Sequence, residues 1–342
     1  MRLPTTVAAL EDELSRPTPG AVAALAALEG DLLVLGAGGK MGPSLARMAR
    51  RALDAAGQTQ RRVIAVSRFS SPGAATALRE HGVETIACDL LDRAAVAVLP
   101  EVANVIFMAG QKFGTAEAPE RTWAMNTLVP AIVAERFPRS RTVVFSTGCV
   151  YPLAPVDGPG SREDEGLAPP GEYANSCVGR ERIFTHFSKL HGTPVLLFRL
   201  CYAIDLRYGV LCDVATKVAR GEAVDVTMGV AQVIWQGDAC ARALQCLAHT
   251  TAPPSALNVT GLERVPIRQL AERLGERLGR APVFTGREGR TAWVWDAARS
   301  YELFGPPGVS LDEMIEATAE WVRRGGAMLG RPTHFEATDG QF

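Results

Sequence analysis

The chain has 342 residues, of which 47% are hydrophobic and 21% are charged, and its formal net charge is −1. This composition is ordinary for a globular protein and excludes a disordered, collagen-like or coiled-coil chain. A net charge near zero gives no electrostatic footprint for nucleic acid or an anionic membrane, so we predict neither as a partner. No apolar run reaches the ~18 residues that a membrane-spanning helix needs.

The start of the chain and the cysteines indicate where the protein works. Glu11, Asp12 and Glu13 stand where a secretory signal would be apolar, so we expect no export signal. The seven cysteines are odd in number and contain no Cys-x-x-Cys pair. We therefore predict a cytoplasmic protein with reduced thiols, without a disulfide framework and without a metal site.

In chain order, residues 1–30 predict two leader helices, Val7–Leu14 and Ala21–Leu28, separated by prolines and a glycine. Short apolar strands then alternate with amphipathic helices up to Leu200. The predicted strands are Leu32–Leu35, Arg62–Val66, Thr85–Ala87, Asn104–Met108, Thr142–Ser146 and Val195–Leu200. The predicted helices are Ser44–Ala55, Ala74–His81, Ala94–Leu99, Thr122–Arg136 and Cys177–Lys189. This alternation predicts an α/β fold, with a doubly wound parallel Rossmann sheet over residues 31–200.

The pattern changes after residue 200. The predicted helices there are Val210–Arg220, Asp238–His249, Ile267–Leu278 and Leu311–Arg323, and the predicted strands are Val224–Met228, Val233–Trp235 and Leu257–Val259. We predict a smaller mixed C-terminal lobe over residues 201–335. This lobe would bind the substrate, be partly interleaved with the Rossmann domain, and share a cleft with it.

A glycine-rich turn joins the first predicted strand to the next helix. Its sequence is Gly36-Ala37-Gly38-Gly39-Lys40-Met41-Gly42. Glycines allow a tight turn and a close backbone approach, and the amide groups at the helix start can then hold a pyrophosphate. The turn therefore predicts a dinucleotide site, with Lys40 as either a further phosphate contact or a solvated surface lysine.

The end of the second strand bears on which dinucleotide binds. An NAD-binding chain usually places an acidic residue here for the ribose 2′-hydroxyl, but Gln60–Ser70 contains none. Ser67 and Arg68 stand there instead, and a guanidinium suits a 2′-phosphate. We therefore predict NADP(H) in preference to NAD(H).

Several segments, in the same order, resemble the extended short-chain dehydrogenase/reductase family, which includes the NAD-dependent epimerases and dehydratases. The glycine turn has the family's spacing, and Tyr173 opens a predicted helix as the family's catalytic tyrosine does. The other matching segments are Asp89-Leu90 after the third strand, Met108-Ala109-Gly110 after the fourth, Asn126 in the long helix, and Ser146-Thr147-Gly148-Cys149-Val150-Tyr151. The resemblance implies contacts from Asp89 and Leu90 to adenine, and contacts near the nicotinamide from Met108, Ala109, Gly110 and Asn126. It also implies pairing into a homodimer.

The resemblance further implies the chemistry. Tyr173 would be the acid/base for a carbinol proton during hydride transfer, and Thr147 would hold the same oxygen. The family places a lysine four residues after the tyrosine, where its charge favours the tyrosinate. Here that position is Cys177.

Three hypotheses account for the missing lysine. In the first, another cation replaces it: Lys112, or Arg180 or Arg182 on the tyrosine's own helix. In the second, the oxidised nicotinamide alone lowers the tyrosine's pKa, and turnover is slow or alkaline. In the third, the protein is a redox-silent NADP(H)-binding regulator or scaffold.

The substrate side departs from the family pattern, because Tyr202 and Ile204-Asp205 replace much of a segment that nucleotide-sugar enzymes share. We expect a small sugar-derived or polyhydroxylated carbinol or ketone as substrate. The alternative is a nucleotide-sugar epimerase or dehydratase with internally recycled cofactor. The candidate substrate residues are Gln111, Cys149, Tyr202, Arg207 and Trp235, with anion binding or a surface salt bridge open for Arg207, and sugar stacking or core packing open for Trp235.

Overall fold

A computed structural model describes residues 3–115 and 117–340. Its centre is a sheet of seven parallel strands in the order β7-β6-β5-β4-β1-β2-β3. These strands are β1 (Leu32–Leu35), β2 (Val63–Ser67), β3 (Glu84–Ala87), β4 (Asn104–Phe107), β5 (Arg141–Thr147), β6 (Val195–Leu200) and β7 (Ser255–Val259). The strand order reverses between β1 and β4, and the predicted doubly wound Rossmann sheet is confirmed. In such sheets, ligands bind beyond the carboxyl ends of the strands at that reversal.

Thirteen α-helices lie among the described residues. They are α1 (Val7–Leu14), α2 (Pro19–Ala27), α3 (Gly42–Ala55), α4 (Ala74–Glu80), α5 (Arg93–Ala97), α6 (Pro119–Trp123), α7 (Val129–Arg136), α8 (Glu172–His191), α9 (Val210–Arg220), α10 (Gln236–Gln245), α11 (Ile267–Leu278), α12 (Ala298–Phe304) and α13 (Leu311–Arg323). A π-helical turn, Ala124–Leu128, joins α6 to α7, and 3₁₀ turns occupy Gly148–Val150 and Cys246–His249. None of the described helices is long and apolar enough to cross a membrane.

Eight short strands complete the second half of the chain and its contacts with the first. They are Ala154–Pro155, Ala203–Ile204, Ala223–Asp225, Val230–Ala231, Ile234–Trp235, Val265–Pro266, Val283–Thr285 and Thr291–Ala292. Each pairs with only one other strand. They therefore fix loops around the cleft and do not extend the large sheet.

The central sheet is covered on both faces. All four residues of β1 are fully buried, as a parallel strand between two layers of helices requires. Helix α10 packs on α2 and α3, and β7 pairs with β6 at the sheet edge. The chain after residue 200 thus returns to the Rossmann sheet before it completes the second lobe.

The leader helices pack on α3. Leu10 and Leu14 are fully buried, and Arg51 of α3 donates to the Asp12 carboxylate at 3.0 Å. Thr6 and Thr18 cap the two helices by accepting a hydrogen bond from the backbone three residues on. The two helices are therefore part of the folded body.

The second lobe has its own apolar core around α9, α11 and α13. This core continues up to the active-site side of the first lobe, where it includes Tyr151, Cys177 and Trp295. Phe335, close to the end of the chain, is part of the same core and is 1% exposed. The two lobes are therefore joined by packed side chains next to the cleft.

Candidate cofactor and active site

The glycine turn forms a cradle beyond the carboxyl end of β1. Gly36 has φ +89°, and a Cβ there would lie 2.5 Å from the Ala109 backbone nitrogen. A Cβ on Gly42 would collide with the Ala37 carbonyl. Gly38 and Gly39 are exposed at the start of α3. Only glycine allows this close approach at 36 and 42, and the exposed backbone between them is available to a pyrophosphate.

The two long side chains within this turn are both partly covered. Met41 is half-buried at the start of α3. The Lys40 ammonium donates to the Ala203 carbonyl at 3.2 Å and lies 4.4 Å from the centre of the Tyr208 ring. Burial lowers the pKa of Lys40, although the nearby Asp205 opposes this shift. Lys40 is therefore not a solvated surface lysine, and its charge joins the cradle to the second lobe.

The predicted adenine-side residues follow β2 and β3. The Ser67 hydroxyl accepts from the Phe69 backbone nitrogen at 3.3 Å, and Arg68 is exposed beside it. Asp89 is exposed after β3, where one of its carboxylate oxygens accepts from Leu91 N at 3.0 Å, and Leu90 is buried. These residues lie at neighbouring strand ends, along one rim of the crevice.

Asn126 fixes the loop after β4. It lies in the π-helical turn, is fully buried, and exchanges two hydrogen bonds with the Gln111 backbone, at 3.0 and 2.9 Å. A π turn adds one residue to the helix and often marks a functional position. Gly110 is exposed in this loop, and a Cβ there would collide with Arg180 and lie 2.9 Å from the Asn126 Oδ1.

The rest of this loop is partly covered. Met108 is half-buried, and Ala109 is buried beneath Gly36. Gln111 is half-buried, and it is held by its backbone rather than by its side chain. The loop therefore presents backbone and small side chains to the crevice.

Tyr173 and Thr147 come together across the crevice from this loop. Tyr173 lies in the first turn of α8, close enough to Thr147 at the end of β5 and to Cys177 one turn on for their side chains to influence its pKa. Thr147 Oγ1 also accepts from the Cys149 backbone nitrogen at 3.1 Å. Burial raises the pKa of Tyr173 well above its ordinary value, and the Cys177 and Cys149 thiols add to the shift. The phenol is therefore protonated at neutral pH.

Two cations lie near this pair. Arg180 donates to the Phe145 carbonyl at 2.7 Å and to Asn126 Oδ1 at 2.6 Å, and its charge partly offsets the rise in the Tyr173 pKa. Lys112 donates to the Thr333 carbonyl at 3.3 Å, and its ammonium interacts with Cys149 and Cys177. Arg182 is exposed on the outer face of α8.

The thiol at the position of the family's lysine is fully buried. Cys177 is 0% exposed, and burial raises its pKa. Because only the thiolate is a good nucleophile, this side chain is a packing residue. It lies between Tyr173 and Arg180 in sequence, on the helix face that points into the site.

For Trp235 the sequence left sugar stacking and core packing open, and the structure shows core packing, with the side chain 2% exposed in the second-lobe core. The substrate role considered for Arg207 is wrong. Arg207 forms ion pairs with Glu11 at 2.7 Å and with Asp205 at 2.9 Å, and its side chain is only 10% exposed. Its charge is neutralised inside the protein by α1 and by its own loop, and it forms neither an anion site nor a surface salt bridge.

The sequence did not single out the tryptophan that lies at the site. Trp295 Nε1 donates to the Gly148 carbonyl at 2.9 Å, one residue after Thr147. The Tyr202 and Trp295 rings meet edge-on, with their centres 5.5 Å apart. The buried Tyr202 hydroxyl has no hydrogen-bond partner among residues 3–115 and 117–340. Cys149 is buried beside them. Trp295 is 2% exposed in the same core as Trp235, so it packs beneath this end of β5 and does not itself face a substrate. The Trp-x-Trp repeat at 293–295 was the sequence signal for this packed aromatic residue.

A buried polar network supports β5 from below. Glu181 and Arg199 form a two-pronged ion pair at 3.0 and 2.8 Å, and Glu181 also accepts from Ser146 at 2.6 Å. Arg199 donates to the Tyr151 hydroxyl, which donates to Asn258 of β7 at 2.8 Å. Such a network holds one geometry because breaking any link leaves a buried polar group unpaired. It therefore fixes Thr147 relative to both lobes.

No family model and no curated protein sequence matches this chain. Solved structures do match it. Thermus thermophilus UDP-glucose 4-epimerase with NAD is 20% identical over 87% of this chain and 100% of that one, with a TM-score of 0.70. Bacillus anthracis dTDP-glucose 4,6-dehydratase with NAD is 15% identical over 86% and 96%, with a TM-score of 0.72. Thermotoga maritima UDP-glucose 4-epimerase with UDP-glucose is 20% identical over 86% and 99%, with a TM-score of 0.69. The fold implied by the sequence resemblance is therefore confirmed.

Proposed function

Because the chain has the fold of the extended short-chain dehydrogenase/reductases, we propose that it is an NAD(P)-dependent oxidoreductase that reduces a carbonyl group or oxidises a carbinol. The observation that carries this proposal is the placement of Tyr173 at the start of α8 beside Thr147 at the end of β5, close enough for the hydroxyl to influence the phenol's pKa. A phenol and a hydroxyl that lie side by side can together hold the oxygen of a carbonyl or carbinol.

The residues around the glycine turn suit a dinucleotide. The turn packs so closely on Ala109 at Gly36 and on the Ala37 carbonyl at Gly42 that neither position admits a Cβ, and Gly38 and Gly39 leave backbone exposed before α3. Asp89 and Arg68 would hold the adenosine side, and the exposed Gly110 would lie on the nicotinamide side. A nicotinamide dinucleotide, when bound, would supply or accept the hydride.

The proposed form of the cofactor is NADP(H). Two of the structural relatives reported above were solved with NAD, which supports a nicotinamide dinucleotide in general. Arg68 supports the choice of NADP(H), because it is exposed at the rim where an acidic residue would favour NAD.

The protonation state of Tyr173 sets the direction in which the site works best. Since burial raises its pKa, the phenol carries a proton at neutral pH and can donate it to the oxygen of a carbonyl that is being reduced. Thr147 Oγ1 keeps the same oxygen in place. Oxidation would require the phenolate, which the buried thiols of Cys149 and Cys177 disfavour. We therefore propose net carbonyl reduction as the favoured direction.

Arg180 supports this proposal as the nearby positive charge. It lies two turns after Tyr173 on the same helix and is held by Phe145 and Asn126. Its charge opposes the rise in the phenol's pKa, as the family's lysine would. Lys112 contributes positive charge near Cys149 and Cys177.

Two other functions stay open as outcomes of the test. A nucleotide-sugar epimerase or dehydratase with recycled cofactor is the second candidate, and it is favoured by the substrates and activities named for the structural relatives. A redox-silent NADP(H)-binding protein is the conclusion if no turnover is found.

The test follows NADPH oxidation by the purified chain with a panel of ketones and aldehydes, alongside Tyr173→Phe. We expect the variant to bind NADPH as tightly as wild type and to lose about 10²–10⁴-fold in kcat, the usual contribution of a positioned acid. Equal turnover by both proteins would contradict the role of Tyr173. Cofactor binding without turnover by wild type would favour the redox-silent alternative, and epimerisation without net NADPH loss would favour the recycled-cofactor alternative.

A further inference from the structure

The end of the chain crosses from one lobe to the other at the active site. We call residues 327–340 the C-terminal segment. Its Leu329 nitrogen donates to the Arg207 carbonyl at 3.1 Å in the second lobe. At its other end, Gly340 lies against Pro170 and Gly171, immediately before Tyr173. The segment therefore spans the cleft between these two points.

Thr333 holds the middle of the C-terminal segment to both lobes. Its backbone nitrogen and its hydroxyl both donate to Asp213 Oδ2 of α9, at 2.8 and 2.6 Å. Its carbonyl accepts from Lys112 at 3.3 Å, in the loop that follows β4 of the first lobe. Because these charged partners are partly or largely buried, the three bonds are stronger than surface hydrogen bonds between neutral groups.

Phe335 packs next to Thr333 and its hydrogen bonds with Asp213 and Lys112. It is 1% exposed and belongs to the same core as Cys149, Cys177 and Trp295, against which Tyr173 and Tyr202 also pack. Its backbone nitrogen donates to the Thr333 hydroxyl at 3.2 Å. The C-terminal segment is therefore a packed part of the protein, since burial of a phenylalanine ring removes a large apolar surface from water.

The cations near the cleft are already engaged. Arg207 is paired with Glu11 and Asp205, Lys112 donates to the Thr333 carbonyl, and Arg180 donates to Phe145 and Asn126. A diphosphate is held best by guanidinium groups whose donors are available to it. Tyr173 packs against the same apolar core as Tyr202, and this core contains the buried thiols of Cys149 and Cys177.

We propose that the C-terminal segment is a fixed wall that fills the outer part of the cleft and restricts the site to small, uncharged carbonyl compounds. This inference rests on the proposed function and names its substrate class. It replaces the polyhydroxylated or sugar-derived substrate expected from the sequence, because the cations beside Tyr173, Lys112 and Arg180, already donate to groups within the protein.

The test compares two probes, cyclohexanone as a small uncharged ketone and UDP-glucose as a nucleotide sugar. With NADPH present, we expect wild type to reduce cyclohexanone and to show no calorimetric binding of UDP-glucose at millimolar concentration. Thr333→Val removes a hydroxyl bond to Asp213 and should raise the KM for cyclohexanone about tenfold while the affinity for NADPH stays within about twofold. Arg331→Ala is the matched control, since Arg331 is exposed in the same segment, and its KM should equal that of wild type.

Tight UDP-glucose binding by wild type, well below millimolar concentration, would overturn the wall, and so would an unchanged KM in Thr333→Val. If wild type fails to bind any nicotinamide dinucleotide, the proposed function itself is wrong. If it binds NADPH and reduces ketones but Thr333→Val behaves as wild type, only the wall is wrong.

Discussion

The two sides of the crevice are built in different ways. On the cofactor side, Gly38, Gly39, Arg68 and Asp89 are exposed, and each follows a strand of one sheet within a few residues. On the substrate side, Trp295, Tyr202 and Phe335 come from three distant stretches of the chain and are held by contacts with one another or with the same core. The cofactor side is open and local, whereas the substrate side is packed and non-local.

This difference has a physical cause. A strand that ends at a glycine turn fixes its own geometry, because the hydrogen bonds of the turn run between near neighbours and the adjacent strand. Trp295, Tyr202 and Phe335 come together only after α9, α10, β7 and the C-terminal segment have packed. We therefore expect changes on the cofactor side to alter one binding constant, and changes on the substrate side to alter both stability and turnover.

The largest expected effect on the cofactor side comes from Arg68→Ala. Hydrogen bonds to a charged group contribute about 1.5–3 kcal/mol, so NADPH binding should weaken roughly 10–100-fold while NADH binding changes little. Fluorescence titration with both cofactors measures this. Arg79→Ala, at another exposed arginine, should leave both affinities unchanged. Equal losses for NADPH and NADH would show that Arg68 does not read the 2′-phosphate.

Substitutions of Trp295 and Trp235 should separate packing that supports Thr147 from packing that only stabilises the core. Trp295→Phe removes the hydrogen bond to the Gly148 carbonyl beside Thr147, so we expect KM for the ketone to rise about three- to tenfold. Trp235→Phe changes an equally buried tryptophan that does not donate to the Gly148 carbonyl, and it should lower Tm while KM stays within about twofold. Steady-state kinetics and thermal unfolding of both variants check this. A KM effect from Trp235→Phe equal to that of Trp295→Phe would remove the distinction.

The smallest expected effect concerns pH. Because the folded pKa of Tyr173 is raised, its proton-donating form is fully populated below the ordinary tyrosine value of about 10 and is lost only as pH rises through the higher folded value. The rate of ketone reduction should therefore change less than about twofold between roughly pH 6 and pH 9. A pH–rate profile of kcat checks this. A fall in rate near neutral pH would show that the phenol already ionises there.

Cys177→Lys tests whether the site lacks a cation beside Tyr173. The thiol is fully buried and Arg180 already places positive charge nearby, so the Arg180 guanidinium should repel the new ammonium group, and both Tm and the rate of reduction should fall. Thermal unfolding and kcat measure the two losses. A large gain in activity would instead show that redox function had been lost with the lysine, as the redox-silent alternative requires.

The sequence predicted what depends on local pattern. The glycine turn and most strand bounds follow from apolar runs that end at glycine or a polar residue, and β1, β6, α9, α11 and α13 have the predicted bounds. Tyr173 and Thr147 came from the family resemblance and lie together. The substrate role considered for Arg207 was wrong because a partner that neutralises it, Glu11 in α1, lies far away in sequence. For Trp235 the sequence could not choose between stacking and core packing, because the residues that bury it are also distant in sequence. Phe335 and Trp295 lie outside the predicted helices and strands, so no periodicity could place them.

The strand β7 has a consequence for how this protein could be divided. Its five residues pair with β6 and its Asn258 binds Tyr151, so the outermost strand of the first lobe is supplied by the second half of the chain. A fragment stopped at residue 200 would leave the polar backbone of β6 unpaired along a long apolar edge, which is the kind of surface that aggregates. The Rossmann half is thus not a separable module, and recombining it with another second lobe would require β7 to travel with it.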